Sequence, residues 1–379
     1  MVDVSKVRAV SAIAMMSVLF AAAGARAGDT FGVTNLVSDC FVPAKTIDAS
    51  LVNPWGISAS PTGPFWVSDN AVGQSTLYNT AGGKLGLTVN VPGAPTGQVF
   101  AAKPGEFNVT DGVKTGSSAF IFDSEDGTIS GWSPGVNFTQ AFVAVDNSGS
   151  GAVYKGLAIG KSGGADFLYA ANFNSGEIEM YDSSFSLVKS FTDPGVAAGY
   201  APFNVQNLGG ELFVTYALQD ATKHDDIGGP GNGYVDVFAL DGTFSRRLVS
   251  VGGDVNSPWG LAIAPKSFRS YAGDLLVGNF GDGTIGAFDP LTGAFKGDLL
   301  DKNGNPLVLG DLWGLIQGNG GQGGDADKIY FTAGVQDEAH GLFGSITAVP
   351  EPGAWALMLV GVGLMGSRLR ARRAAAVAA

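Results

Sequence analysis

The chain has 379 residues, of which 45 % are hydrophobic and 15 % charged, so it has enough apolar side chains for a large core and is not a disordered chain. Its 58 glycines follow no Gly-X-Y period, which excludes a collagen-like fibre, and its single cysteine, Cys40, excludes an intrachain disulfide. The formal net charge is −12, and residues 28–352 alone carry 15 basic and 33 acidic side chains, which excludes nucleic acid as a partner.

The first 27 residues have the three parts of a secretory signal peptide. Lys6 and Arg8 form a basic start, an apolar run follows, and the small residues Ala25 and Ala27 mark the cleavage site. We therefore predict an N-terminal signal helix over residues 1–27 that signal peptidase removes, and export of the remaining chain.

A four-stranded antiparallel unit is recognisable in residues 257–299. Apolar runs rich in β-branched and aromatic residues alternate there with turn residues, including the Asp282-Gly283 pair of a tight hairpin. The unit opens with Trp259-Gly260, and comparable openings recur at Trp55-Gly56, Thr96-Gly97, Lys155-Gly156, Pro202-Phe203-Asn204 and Trp313-Gly314. Six openings within residues 28–349 give about 54 residues per repeat, which predicts an all-β, six-bladed β-propeller with four-stranded antiparallel blades.

The sixth repeat lacks a fourth strand. Its sequence predicts strands near residues 328–332 and 342–348, and the C-terminal segment follows directly. The apolar run Phe31 to Ser38, in contrast, precedes the first opening and belongs to no repeat. We predict that this run completes the last blade as its outer strand and closes the ring.

Strand alternation in a propeller places the start of each innermost strand and the loop between its second and third strands on one face. We predict that this face binds the ligand. The candidate residues are Trp55, Asp69, Asn70, Asn172, Trp259, Asn279 and Trp313. A tryptophan at the start of an innermost strand can stack on a sugar ring or pack between blades, and packing is the interpretation that we favour.

Both histidines of the chain fall in loops of this face beside carboxylates. Such loops offer oxygen and imidazole ligands for a divalent ion, calcium above all, as the cofactor. The candidate ligands are Asp220, His224, Asp225, Asp226, Glu338 and His340. Aspartate also shapes tight loops without any ion, and this structural interpretation is the one that we favour. The sequence contains no nucleophile elbow, zinc-protease helix or phosphate loop, so we assign no catalytic residue.

The C-terminal residues 350–379 combine a Pro-Glu-Pro triplet, a short apolar run and an arginine cluster. These residues are Pro350, Glu351, Pro352, Arg368, Arg370, Arg372 and Arg373. This order resembles the PEP-CTERM sorting signal of Gram-negative bacteria. The resemblance implies a C-terminal hydrophobic helix held transiently in the inner membrane, removal by an exosortase-type enzyme, and a final place in the cell envelope or outside the cell.

The middle of the chain, with Asn-Pro-Trp-Gly at residues 53–56 and Gly-Asn-Phe-Gly-Asp-Gly at residues 278–283, resembles an uncharacterised family of exported bacterial β-propellers. In architecture it is similar to NHL-type and lactonase-like six-bladed propellers. Two functions remain open, beside a third in which the protein is a scaffold selected only for bulk and stability. We favour a binding or structural module of the cell envelope or extracellular matrix, with an envelope polysaccharide or protein as partner. The alternative is a metal-dependent, lactonase-like hydrolase or lyase with its site in the channel, which needs three or four converging ligand side chains.

Overall fold

The computed structural model describes residues 29–101 and 103–350, and the predicted signal peptide and nearly all of the predicted sorting signal lie outside them. The described residues form 27 strands and three short 3-10 helices, Asn70–Val72, Ser148–Ser150 and Lys266–Tyr271. The first twelve strands are β1 (Phe31–Ser38), β2 (Thr46–Ile47), β3 (Pro54–Ala59), β4 (Phe65–Asp69), β5 (Gln74–Tyr78), β6 (Lys84–Asn90), β7 (Pro95–Phe100), β8 (Asn108–Thr110), β9 (Thr115–Ser117), β10 (Phe120–Ser124), β11 (Thr128–Trp132) and β12 (Phe142–Asp146). The others are β13 (Tyr154–Ser162), β14 (Ala165–Asn172), β15 (Glu177–Asp182), β16 (Leu187–Phe191), β17 (Tyr200–Leu208), β18 (Glu211–Leu218), β19 (Tyr234–Ala239), β20 (Phe244–Val249), β21 (Pro258–Ile263), β22 (Leu275–Asn279), β23 (Ile285–Phe288), β24 (Phe295–Asp298), β25 (Leu312–Gln317), β26 (Ile329–Ala333) and β27 (Leu342–Ala348).

Six sheets form the blades of a propeller. From the inside outward, blades one to five are β3-β4-β5-β6, β7-β10-β11-β12, β13-β14-β15-β16, β17-β18-β19-β20 and β21-β22-β23-β24. The innermost strands contact one another in the cyclic order β3, β7, β13, β17, β21, β25 and back to β3. The prediction of a six-bladed β-propeller is therefore confirmed.

Blade six joins the two ends of the described chain. Its order is β25-β26-β27-β1, with the two-residue strand β2 added in parallel outside β1. Phe31 pairs with Ala348 and Ser38 with Leu342 in an antiparallel ladder. The run Phe31–Ser38 is thus the outer strand of the last blade, as predicted. Two strand elements were not predicted, the short strand β2 and the β8-β9 hairpin, which is inserted between the first two strands of blade two.

The hydrophobic core lies between neighbouring blades. One buried cluster, for example, combines Tyr169 and Met180 of blade three with Val205 and Tyr216 of blade four. Because both faces of each sheet are covered by the adjacent blades, the strands carry near-continuous apolar runs.

Each innermost strand starts with a β-bulge. The pairing of the first strand with the second shifts register just after the strand begins in all six blades. The bulged stretches contain Trp55, Thr96, Lys155, Phe203, Trp259 and Trp313. A bulge re-aims its side chain relative to the regular alternation of a strand. It explains how four of these residues, from four different blades, meet in one cluster at the propeller axis.

The glycine that follows the bulge allows neighbouring innermost strands to come close. A Cβ atom on Gly97 would lie 2.2 Å from the backbone nitrogen of Leu157 in the next blade. A Cβ atom on Gly56 would lie 2.3 Å from the backbone oxygen of Thr96. The repeated x-Gly opening is therefore a requirement of ring packing.

Candidate ligand-binding site at the channel mouth

An aromatic plug, formed by Trp55, Trp259 and Trp313, closes the middle of the central channel. The rings of Trp55 and Trp313 stack with centroids 3.5 Å apart, and Trp259 meets Trp313 edge-on at 5.8 Å. Phe280 stacks on the other side of Trp313 at 4.1 Å. The three indoles are only 1–4 % exposed, because their faces contact one another and neighbouring aromatic rings.

A network of polar side chains lies on the face where the innermost strands begin. We call it the mouth cluster, and its members are Asn53, Asn70, Glu125, Lys155, His224, Asp225 and Glu338. Asn53 and Asn70 belong to blade one, Glu125 to blade two, Lys155 to blade three, His224 and Asp225 to blade four, and Glu338 to blade six. The structure therefore brings together residues from five of the six blades.

Hydrogen bonds join these residues to each other and to the plug. Trp313 Nε1 donates to Asn53 Oδ1 at 3.1 Å, and Asn53 Nδ2 donates to Glu338 Oε2 at 2.5 Å. Asn70 Nδ2 donates to Glu125 Oε2 at 2.9 Å. The plug therefore holds Asn53 in place through Trp313, and Asn53 in turn orients Glu338.

Lys155 is the central cation of this network. Its side chain is 2 % exposed, and its ammonium donates to Glu125 and, at 3.2 Å, to Asp225 Oδ1. The same ammonium lies 5.1 Å from the ring centroid of Trp55, within reach of a cation–π interaction. Although partial burial opposes it, this ammonium helps to hold the pKa of Asp225 below its usual value.

Glu338 lies in a backbone segment with unusual torsion angles. Gln336, Asp337 and Glu338 have consecutive φ values of 62°, 51° and 63°, in the left-handed region that non-glycine residues rarely adopt. Burial raises the pKa of Glu338 to about 7, opposed by the hydrogen bond from Asn53 and reinforced by the charge of Glu125. Strain of this kind is often found at functional sites.

The loop between β18 and β19 carries four of the predicted ligands. Two of them, His224 and Asp225, belong to the mouth cluster. Nδ1 of His224 lies 2.9 Å from Oδ1 of Asp225. Asp220 instead accepts backbone hydrogen bonds from His224 and Asp225, and the Thr222 hydroxyl lowers the pKa of Asp220 to about 2. Burial raises the pKa of Asp226. Asp220 shapes the loop, whereas His224 and Asp225 face Glu125.

His340 lies apart from the other predicted ligands. Its Nδ1 is 2.6 Å from Asp39 Oδ2, and its ring stacks on Phe41 at 4.1 Å. Both partners belong to the segment after β1, so the side chain of His340 fastens the closing strand of blade six.

Three of the predicted ligand-face residues lie inside blades. Asp69 accepts a hydrogen bond from Thr76 Oγ1 at 2.7 Å, and complete burial raises the pKa of its carboxyl well above the usual range. Asn172 donates to Glu179 Oε1 at 2.7 Å. Asn279 donates to Thr284 Oγ1 at 2.9 Å. Of the polar ligand-face candidates, Asn70 joins the mouth cluster.

Glu125, His224 and Asp225 form the one metal-compatible group among residues 29–101 and 103–350, with ligand atoms within 4.8 Å of one another. Carboxylate and imidazole groups suit a divalent ion. The Lys155 ammonium, however, already donates to both carboxylates. Two cations at this separation repel each other strongly in a partly buried site, so the group does not fit an ion while Lys155 holds its present position.

Three residues of the mouth cluster were not predicted from the sequence, namely Asn53, Glu125 and Lys155. Lys155 did carry a signal, since it occupies the opening position that holds tryptophan in three other blades. A lysine at a position otherwise reserved for buried aromatics needs an anionic partner. The sequence does not show which carboxylates are the partners of Lys155, because this depends on how the blades are arranged.

Two uncharacterised proteins of Acanthamoeba polyphaga mimivirus are similar to this chain over most of their length. One is 34 % identical over 336 residues, which cover 85 % of this chain and 81 % of that protein. The other is 33 % identical over 337 residues, covering 85 % and 87 %. This chain belongs to their family. Both relatives are uncharacterised, so membership of this family indicates no activity for the chain.

Solved propellers are similar to the chain only in general architecture. The virginiamycin B lyase of Staphylococcus aureus is 12 % identical, with a TM-score of 0.49 over 84 % of this chain and 100 % of that chain. The aldose sugar dehydrogenase of Streptomyces coelicolor is also 12 % identical, with a TM-score of 0.48 over 86 % and 100 %. Similarity at this level says nothing about activity or ligand.

Residues 348–373 match the PEP-CTERM protein-sorting motif. The resemblance of the C-terminal segment to this signal is therefore confirmed. The motif points to processing by an exosortase-type enzyme and to an exported, envelope-associated protein. Within residues 29–101 and 103–350, no helix has the length and apolar character needed to cross a bilayer.

Proposed function

We propose that the protein is an exported binding module of the cell envelope or extracellular matrix, and that the mouth cluster holds its ligand. The observation that carries this proposal is the hydrogen-bonded network of polar side chains from five blades beside the aromatic plug. A set of amide, carboxylate and ammonium groups held at the ends of strands and in the loops that follow them is typical of a binding site.

The ligand is a neutral or amine-bearing envelope polysaccharide. Hydroxyl groups donate to carboxylates and accept from amides and ammonium groups, and the mouth cluster presents all three. An acidic polymer is disfavoured because residues 28–352 have an excess of 18 negative charges.

Binding of the exported protein to polysaccharide purified from the envelope of its host tests this proposal. Asn70→Ala removes the amide that bridges Asn53 and Glu125, whereas Asn137→Ala removes an exposed amide in the loop between β11 and β12, away from the mouth cluster. We expect Asn70→Ala to weaken binding by about tenfold or more, a loss of about 1.4 kcal/mol, and Asn137→Ala to leave it unchanged. Equal binding by the two variants, at equal thermal stability, would overturn the proposal.

The role of the C-terminal sorting signal is tested in a separate experiment. We propose that the sorting signal releases the propeller from the inner membrane to the outer envelope or the medium, and that cleavage depends on the Pro-Glu-Pro triplet. Glu351→Ala should leave the longer precursor in the membrane fraction, as seen by fractionation and mass spectrometry. Release of the variant at the rate of the unmodified chain would contradict this.

A metal-dependent, lactonase-like hydrolase or lyase is the second candidate. The ligand atoms of Glu125, His224 and Asp225 favour it, and the contacts of Lys155 oppose it. Elemental analysis of the exported protein and of a Glu125→Gln, His224→Ala double variant distinguishes the two candidates. A stoichiometric divalent ion that the double variant loses would favour the enzyme, and equal metal content would remove this candidate.

A further inference from the structure

A cavity occupies the half of the central channel that lies on the far side of the aromatic plug from the mouth cluster. We call it the neutral cavity, and its volume is about 350 Å³. Its walls are the middle and later residues of the innermost strands, namely 56–59, 97–100, 157–159, 204–207 and 314–316, with Pro61 and Trp259. All six blades contribute to it.

The plug separates the neutral cavity from the mouth cluster. Along β3, Asn53 precedes the strand at the mouth, Trp55 belongs to the plug and Gly56 lines the cavity. Trp259 lines the cavity while its Nε1 donates to the backbone oxygen of Lys155 at 2.9 Å. The neutral cavity is therefore a blind pocket that opens on the opposite face of the propeller.

No side chain that lines this cavity is charged, although the propeller as a whole is strongly acidic. Ile57, Ile159 and Ile316 are each only partly buried there, so their apolar surface faces the open space. A charged ligand would lose its hydration without gaining a partner of opposite charge, and this loss is costly.

The polar groups of the wall are mostly engaged with the protein. Gln98 Nε2 donates to the backbone oxygens of Gly56 and Trp66, and Asn207 Nδ2 donates to that of Ile159. The hydroxyl of Ser58 has no hydrogen-bond partner among the described residues, but it is shielded from the cavity and offers no contact to a ligand there.

We propose that the neutral cavity binds one uncharged, largely apolar small molecule. Its volume falls at the low end of the range of about 300–1,000 Å³ found for small-molecule sites. The walls are paired strands rather than mobile loops, so the pocket exists before the ligand binds. This site is distinct from the mouth cluster and does not depend on the polysaccharide proposal.

The test uses the neutral fluorescent probe N-phenyl-1-naphthylamine and the exported protein. We expect saturable binding of one probe per chain, and binding at least about tenfold weaker for the sulfonate-bearing analogue 8-anilino-1-naphthalenesulfonate, whose charge the cavity does not compensate. Absence of saturable binding of the neutral probe, or equal affinity for the two probes, would overturn the proposal.

Two variants locate the binding. Gln206→Trp adds bulk at a half-buried lining residue, and Ile159→Asp puts a charge into the wall. Each should raise the dissociation constant of the neutral probe at least about tenfold. Gln74→Trp, the same substitution on the third strand of blade one away from the cavity, is the matched control and should bind as the unmodified protein does. If Ile159→Asp does not fold, Gln206→Trp alone locates the site. Unchanged binding of the neutral probe by Gln206→Trp would show that the probe does not bind in the cavity.

Discussion

Phe31 pairs with Ala348, so the first and last described strands of the chain are neighbours in blade six. Every other blade is built from consecutive segments of the chain, whereas this one needs both ends. The ring therefore closes only when the last strand has been synthesised and exported. We therefore expect the stability of all six blades to depend on this one ladder, since a ring with an open edge exposes the core of its terminal blades.

Closing-strand variants test this dependence. Val37 lies in β1 and is fully buried, whereas Val188 lies in the outer strand β16 of blade three and is half exposed. We expect Val37→Asp to lower the free energy of unfolding by about 3–5 kcal/mol, because it buries an unpaired charge, and Val188→Asp to change it by less than about 0.5 kcal/mol. Deletion of residues 28–40 should abolish cooperative unfolding altogether. Urea denaturation provides the measurement, and unchanged stability of Val37→Asp and of the deletion would show that the ring does not rely on this strand.

Glycine variants test the close approach of the innermost strands. A Cβ atom at Gly97 would lie 2.2 Å from a backbone atom of the next blade, whereas at Gly86, in the outer strand of blade one, it would meet nothing within 4 Å. Gly97→Ala should cost about 3 kcal/mol or prevent folding, because backbone has to move. Gly86→Ala should be neutral to within about 0.5 kcal/mol. The midpoints of urea unfolding compare them directly, and similar midpoints would mean that the blades can separate without penalty.

Lys155→Met tests whether this lysine takes the place of a metal ion. Loss of the ammonium leaves Glu125 and Asp225 without a cation, so we expect a loss of about 3 kcal/mol in unfolding free energy. Calcium should restore part of it in Lys155→Met and have no effect on the unmodified protein. Lys103→Met is the control, since Lys103 also contacts two carboxylates but is half exposed. Thermal unfolding with and without calcium gives the result. Calcium stabilisation of the unmodified protein would instead favour the metal-dependent candidate.

Glu338→Gln tests the raised pKa at the channel mouth. A carboxyl whose pKa is about 7 in the folded protein, above its ordinary value of 4.5, binds more protons when folded, so its contribution to stability is lost as the pH rises from about 4.5 to 7. The variant is neutral throughout, so its stability should not fall over this range, and relative to the unmodified protein it should gain about 3 kcal/mol. The difference in unfolding free energy between variant and unmodified protein, followed across this pH range, is the measurement. Glu177→Gln, at an exposed site, serves as control. A pH-independent difference for Glu338→Gln would contradict the raised pKa.

The number of blades, the order of their strands, the closing strand and the sorting signal could all be predicted from the sequence. Each of these depends on local patterns, because apolar runs, turn residues and the x-Gly opening recur within a few residues of each other. Which side chains meet at the axis, in contrast, follows from the packing of the blades. Bulges turn Trp55, Lys155 and Trp313 into the channel, and the radial arrangement of blades places Glu125, Asp225 and Glu338 around a lysine from another blade. Distances across a ring depend on how six sheets pack together, and no spacing along one strand encodes them.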